Sequence, residues 1–151
     1  MSEPGVNERD IRQPAVAGQF YPRDAGALRA TIERAFLSSL GPGEVPAVES
    51  GLRHIAGMVV PHAGYPYSGA CAAWAYAALA RDGRPQVVGL LGVNHRGIGQ
   101  PLALSPAHGW QTPLGGMPVA RELAEQLLAL DPEVVPAHVL RLHQPSAEAQ
   151  G

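Results

Sequence analysis

Cysteine is nearly absent from this 151-residue chain: Cys71 is the single one, which excludes an internal disulfide framework and any zinc site built on paired CxxC motifs. A reducing, cytoplasmic setting fits that scarcity. Long apolar runs are missing as well. None reaches the ~18 residues that a membrane-spanning helix needs, and the first ten residues hold no apolar core that would serve as a signal peptide. Positive charge is not concentrated anywhere. With 11 basic and 13 acidic residues the net charge is -2, and no basic run offers a phosphate backbone a local field, so nucleic acid is excluded as a partner. Charge is sparse at 16%, against 46% hydrophobic residues. That balance belongs to a folding chain and not to a disordered one.

The polar residues 1–11 read as a flexible leader, and residues 12–151 as one domain. Arg12 to Pro22, punctuated by Pro14 and Pro22, predicts a loop or edge strand. Asp24 offers an N-cap, and Leu28, Ile32, Ala35 and Phe36 recur at helical spacing, predicting a helix over roughly 25–39. The breakers Gly41, Pro42, Gly43 and Pro46 mark a surface connection. Ile55 to Val60 and Val87 to Leu91 are short continuous apolar runs and read as buried parallel strands. Between them, Ser68 to Ala80 is Ala-rich and apolar on nearly every side, which predicts a buried helix with Ser68 as its cap. Strand, helix and strand in this order make a right-handed βαβ unit, so the expected fold class is α/β, a parallel βαβ-based sheet flanked by helices. Pro101 to Ser105 predicts a short strand. A last amphipathic helix runs from about Val119 to Leu130, with Leu123, Leu127 and Leu130 on one face.

The candidate chemistry lies just past the two apolar runs. His62 follows the first, in Val60-Pro61-His62-Ala63-Gly64-Tyr65, and His95 follows the second, in Gly92-Val93-Asn94-His95. They are 33 residues apart, close to the ~30 or more of one βαβ unit, so paired strands would bring both imidazoles to the carboxyl edge of the sheet, where open α/β sheets bind ligands. Neutral imidazole is the commonest protein metal ligand and suits Fe, Zn or Cu. Two ligands alone hold a cation weakly. The bland alternative is that each histidine packs in a polar pocket or caps a strand. Tyr65, Tyr67, Asn94 and Trp110 are the ligand-pocket candidates. Gly64 and Gly69, flanking the start of a helix, either free backbone N–H groups for an anion or simply let a turn form. Gly97 and Gly99 match neither phosphate-loop fingerprint. Cys71, inside the apolar helix, reads as a small core residue; His54, His108 and His138 read as surface residues.

Four segments together resemble the Memo-like family (protein B of AmmeMemoRadiSam systems): RQPAVAGQFYP from Arg12, VPHAGYPYSG from Val60, LGVNHRGIG from Leu91 and WQTPLG from Trp110. The likeness runs from Arg12 to about Leu130. It implies an incomplete fold similar to that of class III extradiol dioxygenases, with His62 and His95 in the metal position and radical-SAM system components as partners. The sequence departs from the family pattern at Val93, where proline is usual, at Ala120, where an aspartate commonly caps the helix, and at Gln144 to Gln150, where His143 is out of register with a Glu-His-Ser segment. Family members continue beyond this length, and their later half supplies the remaining metal ligand, so the resemblance implies that residues 12–151 are an amino-terminal part without its carboxyl-terminal half. Three readings stay open: a metal protein related to dioxygenases, a non-catalytic peptide or small-ligand binding module, and a truncated product prone to self-association.

Overall fold

The computed structural model describes residues 11–51, 53–95, 97, 102–130 and 135–136. The leader before Ile11, the Arg96 and Gly99 positions, His138, and the His143 to Gln150 segment lie outside the described residues. In chain order the elements are β1 (Ile11–Arg12), α1 (Ala25–Leu37), α2 (Tyr65–Arg81), β2 (Ala103–Leu104), β3 (Gly109–Thr112), β4 (Gly115–Pro118), α3 (Arg121–Leu130) and β5 (Val135–Pro136). The chain divides into two compact units, Val16–Val88 on one side and residues through Ala15 together with Gly89 onward on the other.

The unit from Val16 to Val88 is a helix pair. Asp24 caps α1 as its sequence position predicts: its Oδ1 accepts from the Ala27 N–H at 2.8 Å, satisfying one of the donors that a helix start leaves without an intrahelical partner. Helix α1 ends at Leu37, and the chain turns back so that Gly43 N–H donates to the Phe36 carbonyl at 2.9 Å. Gly43 makes this turn at φ +82°, a backbone region where glycine has no Cβ penalty. Gly41 is required for a different reason, since a Cβ there would lie 2.2 Å from the Ala35 carbonyl oxygen. The expected surface connection is therefore folded tightly onto the end of α1.

Helix α2 starts a turn earlier than the Ser68 cap predicts. Pro66 in its first turn has its φ preset for a helix and lacks an N–H that would go unpaired there, so Tyr65 opens the helix. Ser68 lies inside, and its hydroxyl donates to the Ala63 carbonyl at 3.0 Å. Small residues let α1 and α2 approach closely: a Cβ at Gly69 would sit 3.4 Å from the Ala35 Cβ, while Leu28, Ala73 and Ala77 are buried. The helix is not buried all round, because α1 covers one face only; Cys71, Trp74 and Tyr76 are exposed. Trp74 Nε1–H nonetheless donates to the Leu40 carbonyl at 3.0 Å, which ties α2 to the turn after α1.

The second unit carries the sheets. Strand β3 is central in a mixed three-stranded sheet, parallel to β1 (Ile11 opposite Gly109, Arg12 opposite Trp110) and antiparallel to β4. Thus Ile11, assigned from sequence to the leader, begins an edge strand. Strands β3 and β4 form a hairpin with a two-residue loop, Thr112 facing Gly115. The Thr112 hydroxyl closes it, donating to the Gly115 carbonyl at 2.8 Å and accepting from the Leu114 N–H at 3.2 Å. A parallel pair, β2 with β5, makes a second sheet, and β2 falls within the strand expected at Pro101 to Ser105. Helix α3 begins at Arg121; Ala120 contributes its carbonyl to Ala124 N–H at 3.0 Å but has no side chain with which to cap. Ala124 is buried, and Leu123, Leu127 and Leu130 are exposed.

The α/β character and the parallel pairing match the sequence reading, but the parallel pairs are not the ones expected. Neither Ile55 to Val60 nor Val87 to Leu91 forms a ladder among the described residues. Val59 is 100% exposed and Leu90 79%. Extended backbone becomes a strand only when a neighbour accepts and donates its hydrogen bonds, and an interior parallel strand needs neighbours on both sides and cover on both faces. The start of the first run is held by Asp82.

Candidate functional site

Each candidate residue is placed by its own unit. In the helix-pair unit, His62 is exposed at the end of the extended segment that leads into α2. Pro66 fixes where the helix begins, and this sets His62 three residues ahead of the first helical turn. Tyr65 is half-buried, with its ring 6.0 Å from that of Tyr21. Burial, reinforced by the neighbouring Tyr76 and Tyr21, pushes the Tyr65 hydroxyl above the usual tyrosine range, so it is a neutral hydroxyl at any physiological pH. Tyr67 points outward and is 89% exposed. The amino terminus of α2 is not an anion cradle. Tyr65 N–H donates to the Phe20 carbonyl at 3.2 Å, Pro66 has no N–H, and the N–H groups of Tyr67 and Ser68 both reach the Gly64 carbonyl, at 2.9 and 3.2 Å. With its donors used internally, this helix start favours the turn-forming reading of Gly64.

In the sheet unit, Asn94 and His95 are exposed on a turn, where the Asn94 carbonyl accepts from Gly97 N–H at 3.3 Å. Trp110 lies on β3, and the guanidinium of Arg12 sits 4.4 Å from its ring centroid. This cation–π contact spends one face of the indole on holding the edge strand. Among the described residues, no three His, Cys, Asp or Glu side chains gather where they could surround a metal ion.

Asp82 is a polar anchor with no signal in its local sequence. Its Oδ1 accepts from His54 N–H at 2.8 Å and its Oδ2 from Ile55 N–H at 3.0 Å, while Arg53 Nε lies 3.6 Å from Oδ2. The two backbone hydrogen bonds, helped by the Arg53 and His54 charges, hold its carboxyl below the usual carboxylate range, because each favours the ionised form. The partners are 27 and 28 residues away, so only the fold brings them together.

Comparison with known proteins places these residues in a family. The profile of the Memo-like proteins matches residues 12–150, a span that takes in both histidine segments. The chain belongs to the Memo-like family. A MEMO1 family protein of Ignicoccus hospitalis is 44% identical over 141 residues, covering 93% of this chain and 50% of that relative. Those of Methanothermobacter thermautotrophicus and Thermotoga neapolitana are 49% and 48% identical, each over 78% of this chain and 42% and 43% of the relative. The chain spans about half the length of the curated relatives it matches.

Proposed function

We propose that this Memo-like chain contributes metal-ligating histidines, His62 and His95, to a site for a divalent cation such as Fe, Zn or Cu. The observation that carries the reading is the family match across both histidine segments; both residues are exposed. Imidazole donors suit borderline divalent metals, and a closed site needs three or four ligands. With no three-ligand group among the described residues, the chain holds such a cation weakly. In the longer family proteins the parent activity is then a metal-dependent oxidoreductase chemistry on a fold like that of the extradiol dioxygenases, in a reducing cytoplasm, with radical-SAM system components as partners and Tyr65, Tyr67, Asn94 and Trp110 bordering the ligand. Exposed apolar residues such as Val59 and Leu90 favour self-association of the chain. No helix among the described residues is long and apolar enough to cross a membrane.

Calorimetric titration of the chain with Fe(II), Zn(II) and Cu(II), repeated on His62→Ala and His95→Ala, tests the reading. Weak binding by the parent chain and its loss in either variant are expected. Equal binding by all three proteins removes both histidines from the site.

A further inference from the structure

A shallow surface cavity of about 480 Å³, open to solvent, lies in the helix-pair unit, lined by the exposed residues Gly51, Arg53, Arg84, Gln86 and Val87. Its size falls within the ~300–1,000 Å³ range of small-molecule sites, and its lining carries two guanidiniums and no carboxylate. Asp82, which faces Arg53 through Nε, is already committed: its oxygens accept two backbone N–H groups. That ion pair sets the Arg53 side chain beside the cavity. Arg84 has no carboxylate partner among the described residues. The floor is open at Gly51, where an added Cβ would meet nothing within 4 Å. Gln86 adds a neutral amide that can donate.

We infer that this cavity binds a small oxyanion, a phosphate or carboxylate group, gripped between Arg53 and Arg84. A guanidinium presents paired N–H donors in the fixed geometry that two oxygens of one carboxylate or phosphate match. Two such forks in one lining that holds no carboxylate, with Asp82 withdrawn into backbone hydrogen bonds, favour that group over a cation. The site uses neither His62 nor His95 and stands whether or not they bind metal.

The test is calorimetric titration of the chain with inorganic phosphate at low ionic strength, with malonate as competitor, on the parent and on Arg84→Gln, Arg53→Gln and Arg29→Gln. Arg29 is an exposed arginine of α1 away from the cavity lining and controls for bulk charge. Saturable binding is expected, weakened about tenfold by Arg84→Gln, the loss that a charged hydrogen bond of ~1.4 kcal/mol gives, and unchanged by Arg29→Gln. Competition by malonate shows that carboxylates share the site; failure to compete restricts it to phosphate. Because Arg53→Gln also releases Asp82, Arg84→Gln is the deciding variant, with helix content by circular dichroism as the check that the fold persists. Absence of saturable binding by the parent, or equal loss in Arg29→Gln, overturns the inference.

Discussion

Two glycines of the helix-pair unit should respond to the same substitution with opposite signs. At Gly41, alanine would put a Cβ 2.2 Å from the Ala35 carbonyl oxygen and 3.0 Å from that of Phe36. Both oxygens are main-chain atoms in the last turn of α1, so neither can swing aside as a side chain would. Relief requires the turn to move by about 1 Å to reach an ordinary carbon–oxygen contact of ~3.4 Å. That movement opens the bond from Gly43 N–H to the Phe36 carbonyl and pulls the Leu40 carbonyl away from Trp74 Nε1. Overpacking costs ~1–3 kcal/mol and each of the two lost hydrogen bonds ~1 kcal/mol, so Gly41→Ala should destabilise by about 3–5 kcal/mol. At Gly69, the same Cβ meets the Ala35 Cβ at 3.4 Å, an ordinary contact. There alanine only removes backbone freedom from a helix interior, which should stabilise by about 0.5–1 kcal/mol. Urea titration followed by the helical circular dichroism signal reads both. With a slope of ~2 kcal/mol per M, the midpoint should fall by about 1.5–2.5 M in Gly41→Ala and rise by a few tenths of a molar unit in Gly69→Ala. An unchanged midpoint in the first, or a fall in the second, refutes the packing argument for the α1–α2 contact.

The remaining expectations concern charge and exposed apolar surface. Asp82 ionises more readily in the fold than its unperturbed value of 3.8, so its stabilising contribution is fully present above that pH and is lost as pH falls through the lowered folded value. Asp82→Asn should therefore be less stable than the parent at neutral pH, with the gap closing in acid; a gap independent of pH removes the linkage. Metal binding should disappear in His62→Ala and His95→Ala, and phosphate binding should weaken in Arg84→Gln, by the titrations described above. The exposed apolar residues of each unit, Val59 in one and Leu90 in the other, should make the chain bind a hydrophobic dye such as ANS and associate as its concentration rises. A monomer at high concentration that binds no dye would show that this surface is covered.

What the sequence made legible was mostly local. Asp24 capping α1, the short strand at Ala103–Leu104 and the edge character of the segment after Ile11 each depend on residues a few positions apart, and each is where the sequence puts it. Helix α2 began early because the proline preference for the first helical turn outweighed a serine cap further on. The β3–β4 hairpin went unread because its strands hold Gly109, Gly115, Gly116 and Pro118, residues depleted in strands. Its closure comes from the Thr112 hydroxyl. Asp82 was illegible for a different reason: an aspartate just past a helix end gives no sign that its oxygens will meet backbone 27 and 28 residues earlier.

The two apolar runs show why the candidate site was harder to read than its residues. An uncharged stretch such as Ile55 to Val60 states that it is extended and that it prefers to be covered, but not which strand it pairs with. Register and partner are set by the neighbour. The sequence argument for bringing His62 and His95 to one sheet edge passed through the mutual pairing of those runs, and neither run is paired among the described residues. The metal reading therefore rests on donor chemistry and on the family match over both histidine segments, and no longer on a βαβ crossover. The arginine cavity has the reverse standing. Arg53, Arg84 and Gln86 form no recognisable spacing in the sequence, but the anchor at Asp82 draws residues 53 to 55 against the carboxyl end of α2, and Gly83, at φ +98°, turns the chain there. A single carboxylate thus both holds the start of an unpaired run and sets one of the guanidiniums that line the cavity.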